Sequence, residues 1–268
     1  MIAEGSSFER PDLKPSTQAI GVGAYATSHP PTSRGSRLHR TLEAVSIVTL
    51  LVGIGYGAFV VARAIGGWAE GAWAAFGLGL GYVLADLGSG VVHWMGDRYG
   101  SPEMPILGKA FIQPFRRHHV APKEMTEHDF VETNGNNSIV TLPVVAAAFW
   151  LFDRETIFGL VAFCSIVSLA AWIFATNQIH SWSHQDNVHR SIAWLQRTGL
   201  ILEPGHHKVH HTAPFETYYC ITSGLMNPLL HRLRFWSRME WLVANVVRVP
   251  PYRDTVGLAG GDPRPESR

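Results

Sequence analysis

Charged side chains are scarce in this chain: Asp, Glu, Lys and Arg make up 16% of its 268 residues, whereas 46% are hydrophobic. Soluble domains usually carry about 25% charged residues. The two cysteines, Cys164 and Cys220, lie far apart, so neither a disulfide framework nor a thiolate metal site is indicated. A net charge of +1 without a sustained basic run argues against a nucleic-acid-binding protein. The apolar residues come in blocks, which favours a bilayer as their solvent.

The two ends of the chain have the composition of flexible tails. Residues 1–40 mix Ser, Thr, Gly, Pro and Arg without periodicity and lack the apolar run of a secretory signal peptide. Residues 251–268 alternate Pro and Gly with charges. We therefore expect a flexible cytosolic tail at 1–40, a membrane-embedded domain at 41–250 and a second flexible tail at 251–268.

Four apolar segments predict an all-α integral membrane protein with four transmembrane helices. Residues 44–62 and 156–175 contain no charge, and residues 71–92 are interrupted only by Asp86. A helix needs about 20 apolar residues to cross the hydrocarbon core of a bilayer. The fourth segment, residues 138–152, is shorter and would form a tight hairpin with residues 156–175. Two glycines in the second segment would permit close helix packing; they are Gly77 and Gly81.

Four spans would place the large polar parts of the chain on one side of the membrane. Most basic residues fall on that side, while the opposite side carries only Arg63 and Arg154. The positive-inside rule then puts the polar parts in the cytoplasm. We expect a multi-pass protein of a bacterial inner membrane or the endoplasmic reticulum, depending on source. Residues 105–115 and 228–243 carry apolar stripes and are predicted to form interfacial helices.

Histidine is abundant, and its distribution is uneven. Of the 14 histidines, eleven fall between His93 and His211. The densest block is HHKVHH, which forms two interleaved pairs with members four residues apart. On a helix this spacing gathers four imidazoles within about one turn, which packing alone hardly ever demands. The block predicts metal binding by four residues: His206, His207, His210 and His211.

Two other pairs repeat the four-residue spacing at predicted helix ends. His180 and His184 end the fourth span, where two imidazoles would converge on one ion. His93 and Asp97 end the second span, and Asp86 falls on the same helix face. A polar helix end would give the His93 and Asp97 pattern equally well.

The middle loop holds the adjacent pair His118 and His119, with His128 further along. Neighbouring residues on a helix point about 100° apart, so the pair could serve two ions. A solvated basic loop that contacts lipid phosphate explains this block equally well, since Arg116 and Arg117 precede it and could hold a phosphate headgroup.

The predicted topology brings all four blocks to the cytosolic membrane surface. Their number exceeds what one zinc ion would use and suits two transition-metal ions with nitrogen-rich ligand shells. We favour iron over zinc because a redox-active pair beside the bilayer can activate oxygen. The remaining histidines lack this clustering and are expected at the surface; they are His29, His39, His189 and His231.

The histidine blocks resemble the HxxxH and HxxHH boxes of membrane-bound desaturases and hydroxylases. Over roughly residues 86–243 the chain closely resembles the plasmanylethanolamine desaturases, a family of histidine-box lipid desaturases. The runs that carry this resemblance are VVHWMGDRYGSPEMPILGKAFIQPFRRHHVAPKEMTEHDFVETNGNN, TNQIHSWSH and PGHHKVHHTAPFETYYCITSG.

The resemblance implies a reaction and a cofactor. The reaction is the oxygen-dependent removal of two hydrogens from the 1-O-alkyl chain of an ether phospholipid, which gives the vinyl ether of a plasmalogen. The cofactor is two iron ions, with O2 as co-substrate. The implied ligands are His93, Asp97, His118, His119, His128, His180, His184, His206, His207, His210 and His211. Asp97 stands where the ordinary desaturase pattern has a second histidine, so its role as a ligand or as a partner of a ligand stays open.

An external electron donor is also expected, because the chain has neither a haem signature nor a Gly-rich dinucleotide fingerprint. A cytochrome b5-like or ferredoxin-like protein with its reductase would suit. Three other interpretations remain open at this point. The first is a desaturase or hydroxylase of ester-linked phospholipid acyl chains. The second is a metal transporter, which would favour ionisable residues deep in the spans, where only Asp86 partly fits. The third is a scaffold protein.

Overall fold

The computed structural model describes residues 36–252, and the predicted tails at 1–40 and 251–268 lie largely outside this part of the chain. The described residues contain no β-strand. Their helices are α1 (Arg37–Ala64), α2 (Trp68–Arg98), α3 (Gln113–Val120), α4 (Phe130–Leu151), α5 (Ile157–His184), α6 (Arg190–Arg197), α7 (Pro204–His210), α8 (Asn227–Arg232) and α9 (Phe235–Leu242). The first helix begins at Arg37, because the Ser36 hydroxyl accepts a hydrogen bond from a backbone N–H of its first turn.

Three of these helices are long and apolar enough to cross a membrane: α1, α2 and α5. Each extends beyond the apolar segment predicted for it. Helix α4 has 22 residues, but its first two turns carry the polar residues between Glu132 and Ser138. The described part of the chain therefore offers three candidate spans by length and composition, with α4 packed beside them.

The long helices pack into one bundle, in which α1 lies against α4 and α5, and α5 lies against both α2 and α4. Helix α2 runs parallel to α5, since Gly77 lies against Val161 and Gly81 against Ser165. A Cβ atom at Gly81 would lie 2.2 Å from the carbonyl oxygen of Ser165, so only glycine allows this approach. The close packing predicted from the two glycines is confirmed.

Helix α4 runs antiparallel to α5 along its whole length. The rings of Phe149 and Phe163 stack edge to face near one end, with centroids 5.1 Å apart. Near the other end the Asn177 side chain donates to the carbonyl of Thr133 at 3.1 Å. The start of α4 and the end of α5 therefore share one end of the bundle with the end of α2.

The predicted interfacial segments are each divided into two elements. Residues 105–115 contain a π-helical turn, Gly108–Ile112, that leads directly into α3. Residues 228–243 are split into α8 and α9 at Arg234, whose backbone is left-handed with φ 48°. A second π-helical turn, Val243–Val247, follows α9.

The segment between α7 and α8 is not helical, yet much of it is buried. Tyr219 and Cys220 pack with Trp94 of α2 and with Trp236 of α9 in one apolar cluster. Irregular backbone at this depth needs internal hydrogen-bond partners. This segment, residues 211–226, is named the buried loop below.

Candidate metal centre

Two groups of metal-ligating side chains lie side by side at one end of the bundle. In each group the ligand atoms all lie within 4.8 Å of one another. The five-histidine group consists of His118, His180, His184, His207 and His211. The aspartate group consists of His93, Asp97, His119 and His210. Nine of the eleven residues predicted from the sequence are thus brought together.

The five-histidine group is centred on His207. Its Nε2 atom lies 2.8 Å from Nε2 of His180, 2.9 Å from that of His184 and 3.0 Å from that of His211. The His118 Nε2 atom completes the group at 3.1 Å from His211. An ion bound at about 2.1 Å from each nitrogen needs nitrogens about 3.0–3.4 Å apart. The separations of 2.8–3.1 Å between neighbouring imidazole nitrogens are close to that spacing.

The aspartate group is arranged around one carboxylate oxygen. Asp97 Oδ2 lies 3.3 Å from Nε2 of His93, 3.3 Å from Nε2 of His119 and 3.5 Å from Nε2 of His210. Both Asp97 oxygens and His93 Nε2 are buried without a hydrogen-bond partner among the described residues. A buried carboxylate without a hydrogen bond is costly unless a cation or a donor satisfies it. The donor set and its unsatisfied atoms fit a metal ion.

Helical periodicity explains how four of the ligands arise. His93 and Asp97 are one turn apart on α2, and His180 and His184 are one turn apart on α5. Side chains spaced by four residues project from one face of a helix. Helix α2 therefore contributes its pair to the aspartate group, and α5 contributes its pair to the five-histidine group.

The short helices α3 and α7 connect the two groups. Adjacent histidines on α3 point into different groups, His118 into the five-histidine group and His119 into the aspartate group. The α7 block divides in the same way, with His207 and His211 on one side and His210 on the other. As expected from the sequence, neighbouring histidines point in different directions. Each short helix therefore contributes to both groups.

His206 differs from its sequence prediction and lies outside both groups. Its Nε2 atom is 3.1 Å from the side-chain amide nitrogen of Asn227, and its ring packs against Tyr218. The reason is rotation: on α7 the side chain of His206 points away from that of His207 and toward the buried loop. The four imidazoles of the HHKVHH block therefore do not converge.

His128 also lies outside both groups. It precedes α4, its side chain is 44% exposed, and its Nε2 atom lies 3.8 Å from Glu132. The nearby helix start is capped by Asp129, whose carboxylate accepts from two backbone N–H groups of α4. The turn directs His128 toward α4 rather than toward the metal groups.

The two arginines predicted to hold a lipid headgroup have partners within the protein. Arg116 is buried, donates to the carbonyl of Gly100 at 2.7 Å and stacks on the ring of Tyr252. Arg117 forms an ion pair with Glu124, to which its Nε donates at 2.6 Å.

Burial favours the neutral form of three imidazoles of the five-histidine group, those of His118, His207 and His211. It lowers the pKa of His118 and of His207 well below the ordinary value, and the neighbouring imidazoles lower both further. The pKa of His211 is lowered for the same two reasons. A neutral imidazole is the form that binds metal.

The buried loop was missed as a functional element by sequence reasoning. His93 Nδ1 lies 3.1 Å from the carbonyl oxygen of Tyr219, and His210 Nδ1 lies 2.9 Å from that of Thr217. Such contacts orient an imidazole so that its other nitrogen faces the metal. The only signal in the sequence was the YYCITSG run, which has no periodic pattern.

An apolar helical bundle with three candidate membrane spans and two histidine-rich groups that could hold metal fits a membrane-bound metalloprotein. Residues 82–254 match the lipid desaturase domain, so the chain belongs to the lipid desaturase family. This confirms the family-level resemblance predicted from the histidine blocks.

Three relatives illustrate the similarity. The plasmanylethanolamine desaturase of Myxococcus xanthus is 49% identical over 66% of this chain and 63% of its own length. Plasmanylethanolamine desaturase 1 of Mus musculus is 42% identical over 68% of this chain and 69% of its own. Fatty acid desaturase 4-like 2, chloroplastic, of Arabidopsis thaliana is 30% identical over 84% of this chain and 77% of its own. No solved structure matches.

Proposed function

We propose that the protein is an oxygen-dependent desaturase that converts the 1-O-alkyl chain of plasmanylethanolamine to the vinyl ether of a plasmalogen. The observation that carries this proposal is the pair of adjoining ligand groups, with nine metal-ligating side chains at one end of the bundle. The similarity to two plasmanylethanolamine desaturases supports the choice of substrate.

We infer that each ligand group holds one iron ion. The five-histidine group offers only neutral nitrogen donors, and the aspartate group adds one anionic oxygen. Nitrogen and carboxylate donors in combination suit iron. Bound iron would supply the activation of O2 that hydrogen removal from an alkyl chain requires.

The electron balance of this reaction demands a partner. Reduction of O2 to two water molecules takes four electrons, of which the substrate supplies two with its two hydrogens. The other two electrons and two protons come from outside. We propose a cytochrome b5-like or ferredoxin-like donor with its reductase.

The chain's own residues would hold the metal ligands and exclude water. Phe115 and Phe215 pack against His93 and His119 with ring centroids 5.3 Å and 5.0 Å apart, which walls the aspartate group with apolar surface. Removing water from an active site strengthens its electrostatic interactions. The alkyl chain would have to reach this end of the bundle from the bilayer.

We propose that α4 is the fourth membrane span and that the metal-binding end faces the cytoplasm. In support, α4 pairs with α5 from Phe149 to Thr133, so it crosses the same depth. The asymmetry of the basic residues supports the orientation. Exposed apolar side chains on the segment after α8 support an interfacial position for α9; they include Trp241, Leu242 and Val246.

Of the two arginines, we propose Arg117 as the headgroup ligand. The side chain of its partner Glu124 is 36% exposed. A lipid phosphate could therefore replace the Glu124 carboxylate as the partner of Arg117. Arg116 is buried and held by backbone carbonyls, which suits a structural role.

The lipid products of a host cell test the proposed reaction. The chain would be expressed in cells that make alkyl ether phospholipids but no vinyl ethers, with air present or excluded. We expect acid-labile vinyl ether, measured by mass spectrometry, only with both gene and oxygen. His207→Ala should abolish it, and His189→Ala, at an exposed position outside both groups, serves as the matched control.

A second candidate is a desaturase of ester-linked acyl chains. The observation that favours it is the 30% identity to a chloroplastic fatty acid desaturase 4-like protein over most of the chain. The same lipid profile distinguishes the two. A new double bond in an ester-linked chain, without vinyl ether, would contradict the proposed substrate and support this second candidate.

A further inference from the structure

Asp86 is a fully buried carboxylate in the middle of the apolar helix α2, and the proposed reaction does not use it directly. One of its oxygens accepts hydrogen bonds from the backbone N–H groups of Ser223 and Gly224, both at 2.8 Å. The other accepts from the backbone N–H of Met226 at 2.9 Å. Asp86 therefore holds the end of the buried loop by three charge-assisted bonds.

Neighbouring residues fix the rest of this loop to the same helix. The Ser89 hydroxyl accepts from the Ile221 N–H at 3.0 Å and donates to the Asp86 carbonyl at 2.7 Å. Gly90 leaves room for Cys220, whose Sγ would lie 2.5 Å from a Cβ at that position. The loop thus has little freedom to shift along α2.

The anchored loop carries the two carbonyls that contact metal-site imidazoles. Tyr219 O faces His93 Nδ1, and Thr217 O faces His210 Nδ1. A carbonyl can only accept, so both rings carry a proton on Nδ1, and the Nε2 lone pair of each neutral ring is left for a metal ion beside Asp97. Both imidazoles belong to the aspartate group.

We infer that Asp86 is a positioning residue of the aspartate group, which acts through the buried loop to fix the orientation of His93 and His210. The inference rests on the proposal that this group binds a metal ion. It also gives Asp86 a role other than ion passage, because both of its oxygens are already engaged by backbone amides.

Asp86→Asn is the sharpest variant because it preserves shape. Its side-chain oxygen can still accept, but its amide nitrogen would face a backbone N–H that needs an acceptor. The loop would lose part of its anchor. Partners of metal-ligating residues typically contribute about 10–100-fold to metal affinity.

Titration of the full-length, metal-free protein in detergent with Co2+ tests the inference, because absorption spectra of bound Co2+ report ligand geometry. We expect wild type to bind two ions. Asp86→Asn should bind the ion of the five-histidine group as wild type does and the ion of the aspartate group about 10–100-fold more weakly, with an altered spectrum. The matched control is Asp186→Asn, which removes an exposed carboxylate paired with Lys123 and should match wild type.

Unchanged affinity and spectrum for the ion of the aspartate group in Asp86→Asn, even with a lower melting temperature, would overturn the inference and leave Asp86 a role in folding alone. If that variant does not fold, Ser89→Ala decides instead. It should weaken only the ion of the aspartate group, and an unchanged affinity there would count against the inference. Failure of wild type to bind Co2+ in either group would contradict the metal centre itself.

Discussion

The five-histidine group and the aspartate group share two short helices but differ in charge and burial. Every donor in the first group is a neutral imidazole, and two of its members, His184 and His211, are partly exposed. The second group contains one carboxylate, and all four of its members are buried. One ligand group is thus neutral and open at its edge, and the other is anionic and closed.

Because of this difference, an ion in the five-histidine group and an ion in the aspartate group would not be equivalent. A carboxylate offsets part of an ion's positive charge, whereas imidazoles leave it in place. The closed group also depends on the buried loop through His93 and His210. We expect the two sites to respond differently to substitution and to acid.

The largest effect is expected for His207→Ala, since His207 contacts three other members of its group. We predict a loss of desaturase activity of more than about 100-fold, beyond the range for partners of ligands. The measurement is vinyl ether formed per protein in membranes. Retention of activity near that of the His189→Ala control would show that the five-histidine group is not needed.

Asp97→Asn tests the closed group while keeping its shape. Loss of the negative charge should release the ion of this group and reduce activity about 100-fold, because three buried imidazoles remain without the carboxylate. Metal content and vinyl ether formation are measured together. If both ions stayed bound with normal activity, Asp97 would not be a ligand.

Acid should destabilise the metal-free protein through its buried imidazoles. The pKa of His118 and of His207 is lowered by burial, so the unfolded chain takes up protons that the folded chain does not. The stability from burying neutral imidazoles is fully present above about pH 6.5, the ordinary pKa of histidine, and is lost as pH falls below it.

Thermal unfolding in detergent checks this dependence. We expect the melting temperature of the metal-free protein to fall between about pH 6.5 and about pH 5. His207→Gln should show a shallower fall, because one buried imidazole is gone. A melting temperature that does not change over this range would contradict the prediction.

The smallest effect is expected for His128→Ala. This side chain is nearly half exposed and lies near Glu132 rather than in either ligand group. Surface substitutions usually change stability by less than about 0.5 kcal/mol. We expect vinyl ether formation within about twofold of wild type, and a large loss would mean that His128 moves into one of the groups.

Hydropathy and helical periodicity predicted much of the fold and many members of the two ligand groups. Charge-free segments placed the long helices, and the four-residue spacing predicted the pairs at His180 and His184 and at His93 and Asp97. Helices α2 and α5 are longer than their apolar segments because their last turns are polar and carry members of the ligand groups. Hydropathy alone could not find those ends.

The division of ligands between the two groups could not be predicted, because it depends on packing between distant segments. No pattern in the sequence separates His206 from His207, because the difference arises from the contacts of His206 with Asn227 and Tyr218. The loop itself is irregular, and its contacts to Asp86 join residues more than 130 positions apart. Periodicity carries no information over such separations.

The iron content of three purified proteins tests the central claim most directly. If each group holds one ion, wild type should contain two iron atoms per chain, and His207→Ala and Asp97→Asn should each retain one. The atoms would be counted by mass spectrometry after aerobic purification. Less than one iron per wild-type chain, together with activity restored by zinc, would contradict the two-iron centre.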